Sequence, residues 1–85
     1  MNTLENPPAP RIMPEVRVAK NLSPSDVAEA MRLILGEEKR HFTSVTKIEK
    51  HGVLKVDTIR AYAQAVGVPF EEALAYFESK AQENN

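Results

Sequence analysis

Read from its N-terminus, the chain begins with no apolar period at all. Residues 1–10 hold three of the six prolines and read as a flexible tail without secondary structure. Pro14 then suits a first helical turn, and Met13, Val16 and Arg17 precede a turn at Asn21-Leu22, which predicts a short first helix. Taken alone, Val16-Arg17-Val18 fits a strand equally well. Ser23-Pro24-Ser25-Asp26 is a strong helix opening: a hydroxyl to cap the orphan amides, proline at the first helical position, and an acid near the positive end of the dipole. Val27, Ala28, Met31, Ile34 and Leu35 follow as one apolar stripe at helical period, with Gly36 placed to end it. Glu37-Glu38-Lys39-Arg40-His41 reads as an exposed connector.

The second half continues the pattern. Phe42, Val45 and Ile48 lie three apart among Thr43, Ser44, Thr46, Lys47 and Lys50, which predicts a short helix with one buried edge, stopped at Gly52. Phe42 is read as a core anchor, the alternative being a stacking residue. Asp57 can cap a fourth helix, where Ile59, Tyr62, Ala63 and Val66 recur at helical spacing before Gly67. Pro69 sits near the first turn of a fifth, with Phe70, Ala73, Leu74 and Phe77 on one side and Glu71, Glu72 and Glu78 largely on another. The expected architecture is an all-α, five-helix bundle without internal repeats. It divides into a tail (1–10), a helical domain (11–80) and a polar end (81–85).

Composition narrows what such a bundle can be. At 85 residues and 9.5 kDa there is one small domain, and 42% hydrophobic with 27% charged residues is ordinary for a folded chain. A core this small is marginally stable, and with no cysteine neither a disulfide nor a thiolate metal site can reinforce it, so a homodimer is expected. No apolar run approaches the roughly 18 residues of a membrane span, and the opening Met1-Asn2-Thr3-Leu4 lacks the basic and apolar regions of a secretory signal, so a cytoplasmic protein is expected. The net charge of −1 hides an asymmetry: residues 39–60 carry Lys39, Arg40, Lys47, Lys50, Lys55 and Arg60 against only Glu49 and Asp57. A central basic stretch in a nearly neutral chain suits one face that meets a polyanion, the alternative being a solvated mixed-charge surface. Catalysis would need converging groups, and neither a nucleophile beside a base nor a glycine-rich phosphate loop is present. His41 and His51 flank a helix rather than share a face, and His51 suits a helix C-terminus, where a cation is favoured. No enzyme activity, cofactor or metal is expected.

The order of these elements resembles the Cro/C1-type (XRE) helix-turn-helix family of DNA-binding repressors. Ser44-Val45-Thr46-Lys47-Ile48-Glu49-Lys50-His51-Gly52 is similar to the family's recognition helix and its ending. Thr58-Ile59-Arg60-Ala61-Tyr62-Ala63-Gln64-Ala65-Val66-Gly67-Val68 is similar to the helix that follows, and Arg17 with Leu22-Ser23-Pro24-Ser25-Asp26-Val27-Ala28 to the approach to the first helix of the pair. The resemblance covers roughly residues 12–75. Size, tail and helix order also resemble small plasmid-encoded Kor-type repressors. One departure is measurable: Val27 and Val45 stand 18 positions apart, about seven more than the family's spacing, so a longer second helix and a lengthened turn are expected.

The resemblance implies a lambda-repressor-like bundle that reads operator DNA. Carried over position by position, base contacts fall to His41, Thr43, Ser44, Thr46 and Lys47. Lys47 can donate to guanine O6 or N7, and a threonine methyl can pack on a thymine methyl. For Thr43, Ser44 and Thr46 the alternative is capping or plain solvation of a short helix. Phosphate contacts fall to Lys39, Arg40, Lys50 and Lys55, and to helix N-terminal amides near Ser25. Glu49 would be unfavourable facing phosphate and is expected to pair with a nearby base such as Arg17 or Lys20. Glu37 and Glu38 either point away from DNA or make the long turn a partner contact. Phe70, Leu74, Tyr76 and Phe77 are expected to form the dimer interface, unless the fifth helix simply closes the monomer core. A dimer would present two recognition helices to a palindromic operator. The competing expectation is an interaction protein on the same scaffold, an antitoxin or an anti-activator, with the tail or the long turn as its docking segment.

Overall fold

The computed structural model describes residues 11–83. The expected tail at 1–10 lies outside them, as do residues 84–85. Five helices follow in order: α1 Met13–Ala19, α2 Pro24–Leu35, α3 Phe42–His51, α4 Val56–Val66 and α5 Phe70–Glu83. The strand alternative for Val16-Arg17-Val18 is thereby excluded, and residues 81–83 belong to α5 rather than to a polar end. No helix among the described residues is long and apolar enough to cross a membrane.

Local chemistry sets most of the boundaries. Ser23 Oγ accepts from the Asp26 amide at 3.0 Å while the Asp26 carboxylate accepts from the Ser23 amide at 2.9 Å, a reciprocal cap that opens α2 behind Pro24. Gly36 closes the helix in the left-handed region, at φ 72° and ψ 31°. The fourth helix starts differently from expectation. Its N-cap is Lys55, with no side-chain cap, and Asp57 already lies inside the first turn. There its charge favours the helix dipole without satisfying an amide.

In the core, α4 packs between α2 and α5, and α3 packs across α2 and α5. Tyr62 and Phe77 meet edge to face at 4.9 Å between ring centres, with Met13, Met31, Ile59, Val27 and Val45 also fully enclosed. Gly52 serves this packing as much as it stops α3. At φ 81° a Cβ there would lie 2.7 Å from the Phe77 carbonyl oxygen and closer still to the Ala81 amide, so only glycine lets the α5 backbone close over the end of α3.

Two apolar positions depart from the expected core. Phe42 is 44% exposed, its ring lying against His41 at 4.5 Å, because the first residue of α3 precedes the turn that packs inward; Val45 and Ile48 carry the buried edge instead. Ile34 is likewise 44% exposed on the last turn of α2, where Leu35 alone reaches the core.

Candidate nucleic-acid interface

The third helix has two faces of opposite character. Behind it, Glu49 is buried and accepts from Arg17 Nε at 2.7 Å, from Arg17 Nη2 at 3.1 Å and from the Tyr62 hydroxyl at 2.6 Å. The Glu49 carbonyl accepts from the Tyr76 hydroxyl at 2.7 Å, and Arg17 Nη1 donates to the Leu22 carbonyl at 3.0 Å. Side chains of α1, α4 and α5 thus converge on one residue of α3. A buried carboxylate is tolerable only when paired and fully hydrogen-bonded, and this one is. The hydrogen bonds that it donates to Glu49 hold Arg17 above the ordinary guanidinium range. Burial, then the bond to Glu49, pushes the Tyr62 hydroxyl well above the usual phenol range, and burial raises Tyr76 in the same direction. Of the two bases expected for Glu49, Arg17 is the one found, while Lys20 donates to the Gly67 carbonyl. The sequence places Tyr62 in an apolar stripe and Tyr76 at an expected dimer interface, although a buried tyrosine needs a partner for its hydroxyl, and that need is their sequence signal.

In front, Thr43, Thr46, Lys47 and Lys50 share one exposed face at helical spacing. Neither Lys47 nor Lys50 has a hydrogen bond or ion pair among the described residues, and the same holds for Lys39 in the connector before α3. Thr46 Oγ1 donates back to the Thr43 carbonyl at 3.1 Å, which leaves its methyl as the freer group. His41 is the N-cap of α3: Nδ1 accepts from the Thr43 amide at 3.3 Å and lies 2.9 Å from Thr43 Oγ1. With Nδ1 accepting, the ring proton of neutral His41 sits on Nε2, a donor directed away from the helix. His51 closes α3 in the last turn, where a basic residue complements the dipole.

Three of the expected contacts are placed differently. Arg40 is half-buried and engaged, donating from Nε and Nη2 to the Glu37 carboxylate at 2.7 Å each and from Nη1 to Ser44 Oγ at 3.2 Å. It therefore braces the connector against α3, and Glu37 neutralises it. Ser44, half-buried beneath that guanidinium, spends one of its two acceptor sites on Arg40. At Ser25 the α2 N-terminus is exposed, but Ser23 occupies an amide there and Asp26 brings a negative charge, held below the usual carboxyl range by the Ser23 amide and hydroxyl. Lys55 is exposed at the start of α4, close enough to Glu37 to help depress its carboxyl, after the larger effect of Arg40. The long turn at 36–41 is thus an ordered brace, and its acid faces its own arginine.

No family model, curated protein or solved structure matches the chain. What the site can do rests on its chemistry. Among the described residues no group of histidines, aspartates and glutamates could hold a metal ion. The donors and cations instead line the outer face of one helix and its two flanking connectors.

The expected dimer residues divide between the core and a partly exposed edge. Phe77 is fully enclosed and Tyr76 is 6% exposed, because α5 spends that face on α3 and α4. Phe70 and Leu74 are half-buried beside them. For Tyr76 and Phe77, closing the monomer core is the arrangement found.

Proposed function

We propose that this chain is a helix-turn-helix repressor of the Cro type that binds a palindromic operator as a homodimer, through α3 in the major groove. The observation that carries the reading is the two-sided character of α3: Glu49 anchors its inner face to three other helices, while Thr43, Thr46, Lys47 and Lys50 stand outward together. A groove-reading helix needs both a rigid seat and unencumbered donors. Lys47 is the principal base-reading residue, with His41, Thr43 and Thr46 contributing at the leading end. Ser44 contributes from behind, with one acceptor site held by Arg40. Lys39, Lys50 and Lys55 contact phosphate, with Arg40 joining them only if it leaves Glu37. Repression follows from operator occupancy overlapping a promoter.

The test is selection of random duplex DNA on the purified protein at near-physiological salt, then titration of the selected sequence against scrambled duplex. A palindromic motif preferred by at least about 10³-fold is expected. Replacing Lys47 with alanine should cost about 1–3 kcal/mol of discrimination per half-site while leaving the fold intact. Equal, weak and steeply salt-dependent binding to every duplex would overturn the reading. In that case an interaction protein becomes the better account, a role favoured by the exposed Leu33 and Leu54, at 65% and 67%.

A further inference from the structure

The last turn of α2, the first turns of α4 and the start of α5 meet in a strip that nothing among the described residues covers. An open groove of about 310 Å³ lies there, floored by Leu35 and Ala61 and bordered by Ile34, Asp57 and Arg60. Ile34 projects beside it, 44% exposed, and Val56, one turn before Arg60 on the same side of α4, is 48% exposed. Arg60 continues the strip toward α5, its guanidinium lying 4.5 Å over the Phe70 ring. Asp57 has no hydrogen bond or ion pair among the described residues, and the Phe70 ring is the only partner that Arg60 has there.

We infer that this α2/α4/α5 strip is where a second copy of the chain docks. The inference rests on the homodimeric reading above and replaces the inner face of α5 as its interface. The argument is charge complementarity with itself. An acid and a base one helical turn apart, both without an ionic partner, are brought into register by a twofold axis that runs α4 antiparallel to its mate: Asp57 meets Arg60 of the second copy, and the reverse pair forms by symmetry. The same rotation offers each Ile34 the groove of the other copy, which has room for one aliphatic side chain. Val56 and the Phe70 ring then lose water at the margin. So short a strip makes a small interface, hence a concentration-dependent dimer rather than an obligate one.

The test is sedimentation of the full chain at low salt without DNA, so that dimerisation is read separately from operator binding. A reversible monomer–dimer equilibrium is expected. Ile34→Glu should weaken it at least tenfold, as should Asp57→Arg or Arg60→Asp alone. The double exchange D57R/R60D should return to within about threefold of the parent, since it restores opposite charges across the axis. It carries the same loss of an acid from the first turn of α4 as Asp57→Arg alone, so rescue separates pairing from folding. Thermal melts of each variant check the fold. A chain that stays monomeric at about 0.5 mM, a dimer indifferent to Ile34→Glu, or a double exchange no tighter than the single ones overturns the proposal. If such a monomer still selects a DNA motif, DNA recognition stands and only this surface falls.

Discussion

Two arginine–glutamate pairs brace α3, and they differ in what surrounds them rather than in their chemistry. Arg17–Glu49 and Arg40–Glu37 both have a closest approach of 2.7 Å, and both arginines use two nitrogens on the carboxylate. The Arg17 and Glu49 side chains, however, are 10% and 5% exposed, whereas those of Arg40 and Glu37 are 16% and 35% exposed. The first pair is walled by Tyr62 and Tyr76, so neither charge has water to fall back on. In the second, Glu37 faces solvent and the field of Lys55. Similar contacts therefore carry different consequences: losing half of the buried pair strands a charge, while losing half of the other releases one to water.

The largest effect expected from breaking this comparison lies at Glu49. Glu49→Ala leaves the Arg17 guanidinium buried and unpaired and should cost about 3–5 kcal/mol in chemical denaturation. Replacing Arg17 and Glu49 together by apolar residues of similar volume should recover much of it; a double variant as unstable as the sum of the singles would mean that the network matters only for packing.

Next in size is Tyr62→Phe, which keeps the ring against Phe77 but removes a donor from a charged acceptor, a loss of about 1.5–3 kcal/mol. It also alters the alkaline limb. The hydroxyl of Tyr62 is raised in the folded state, so above the ordinary phenol value the unfolded chain gives up a proton that the folded chain retains. Stability is then fully present below pH of about 10 and falls above it by about 1.4 kcal/mol per pH unit for this one group. The slope between pH 10 and 11 should be visibly shallower in the phenylalanine variant, and an unchanged slope would count against the buried hydroxyl.

The smallest stability effect belongs to Glu37→Ala, under about 1 kcal/mol for a pair with an exposed partner. Its expected signature lies in DNA binding instead. Freeing Arg40 adds a cation beside α3, so affinity should rise and the logarithmic salt slope should steepen by about one per protomer. A variant that binds DNA more weakly would show that the brace is needed to hold the connector, and that Arg40 never reaches phosphate.

Much of this structure was legible in the residues. Capping chemistry at Ser23 and Asp26 and the left-handed stops at Gly36 and Gly67 act within a few residues, so the number and order of helices could be read locally. The Arg17–Glu49 pair was legible too, because an acid within a basic stretch had to find a cation. On the outer face of α3, the exposure of Thr43, Thr46, Lys47 and Lys50 follows from their polar character at helical spacing. What misled was apolar periodicity at the ends of helices. Phe42 and Ile34 continue their stripes, yet both stay 44% exposed, Phe42 ahead of the turn that packs inward and Ile34 beside Leu35, which takes the core-facing position.

The sequence by itself determined five helices, the cap of α2, the glycine stops, the basic character of α3 and the need for a counter-charge behind it, since all of these depend on neighbours along the chain. Only the tertiary structure decided which apolar side chains are covered. It sent Tyr76 and Phe77 inward, left Ile34 and Phe42 outside, made Gly52 indispensable to α5, and turned Arg40 back on Glu37. The physical reason is that periodicity names the face of a helix, whereas burial depends on where another helix happens to cross it.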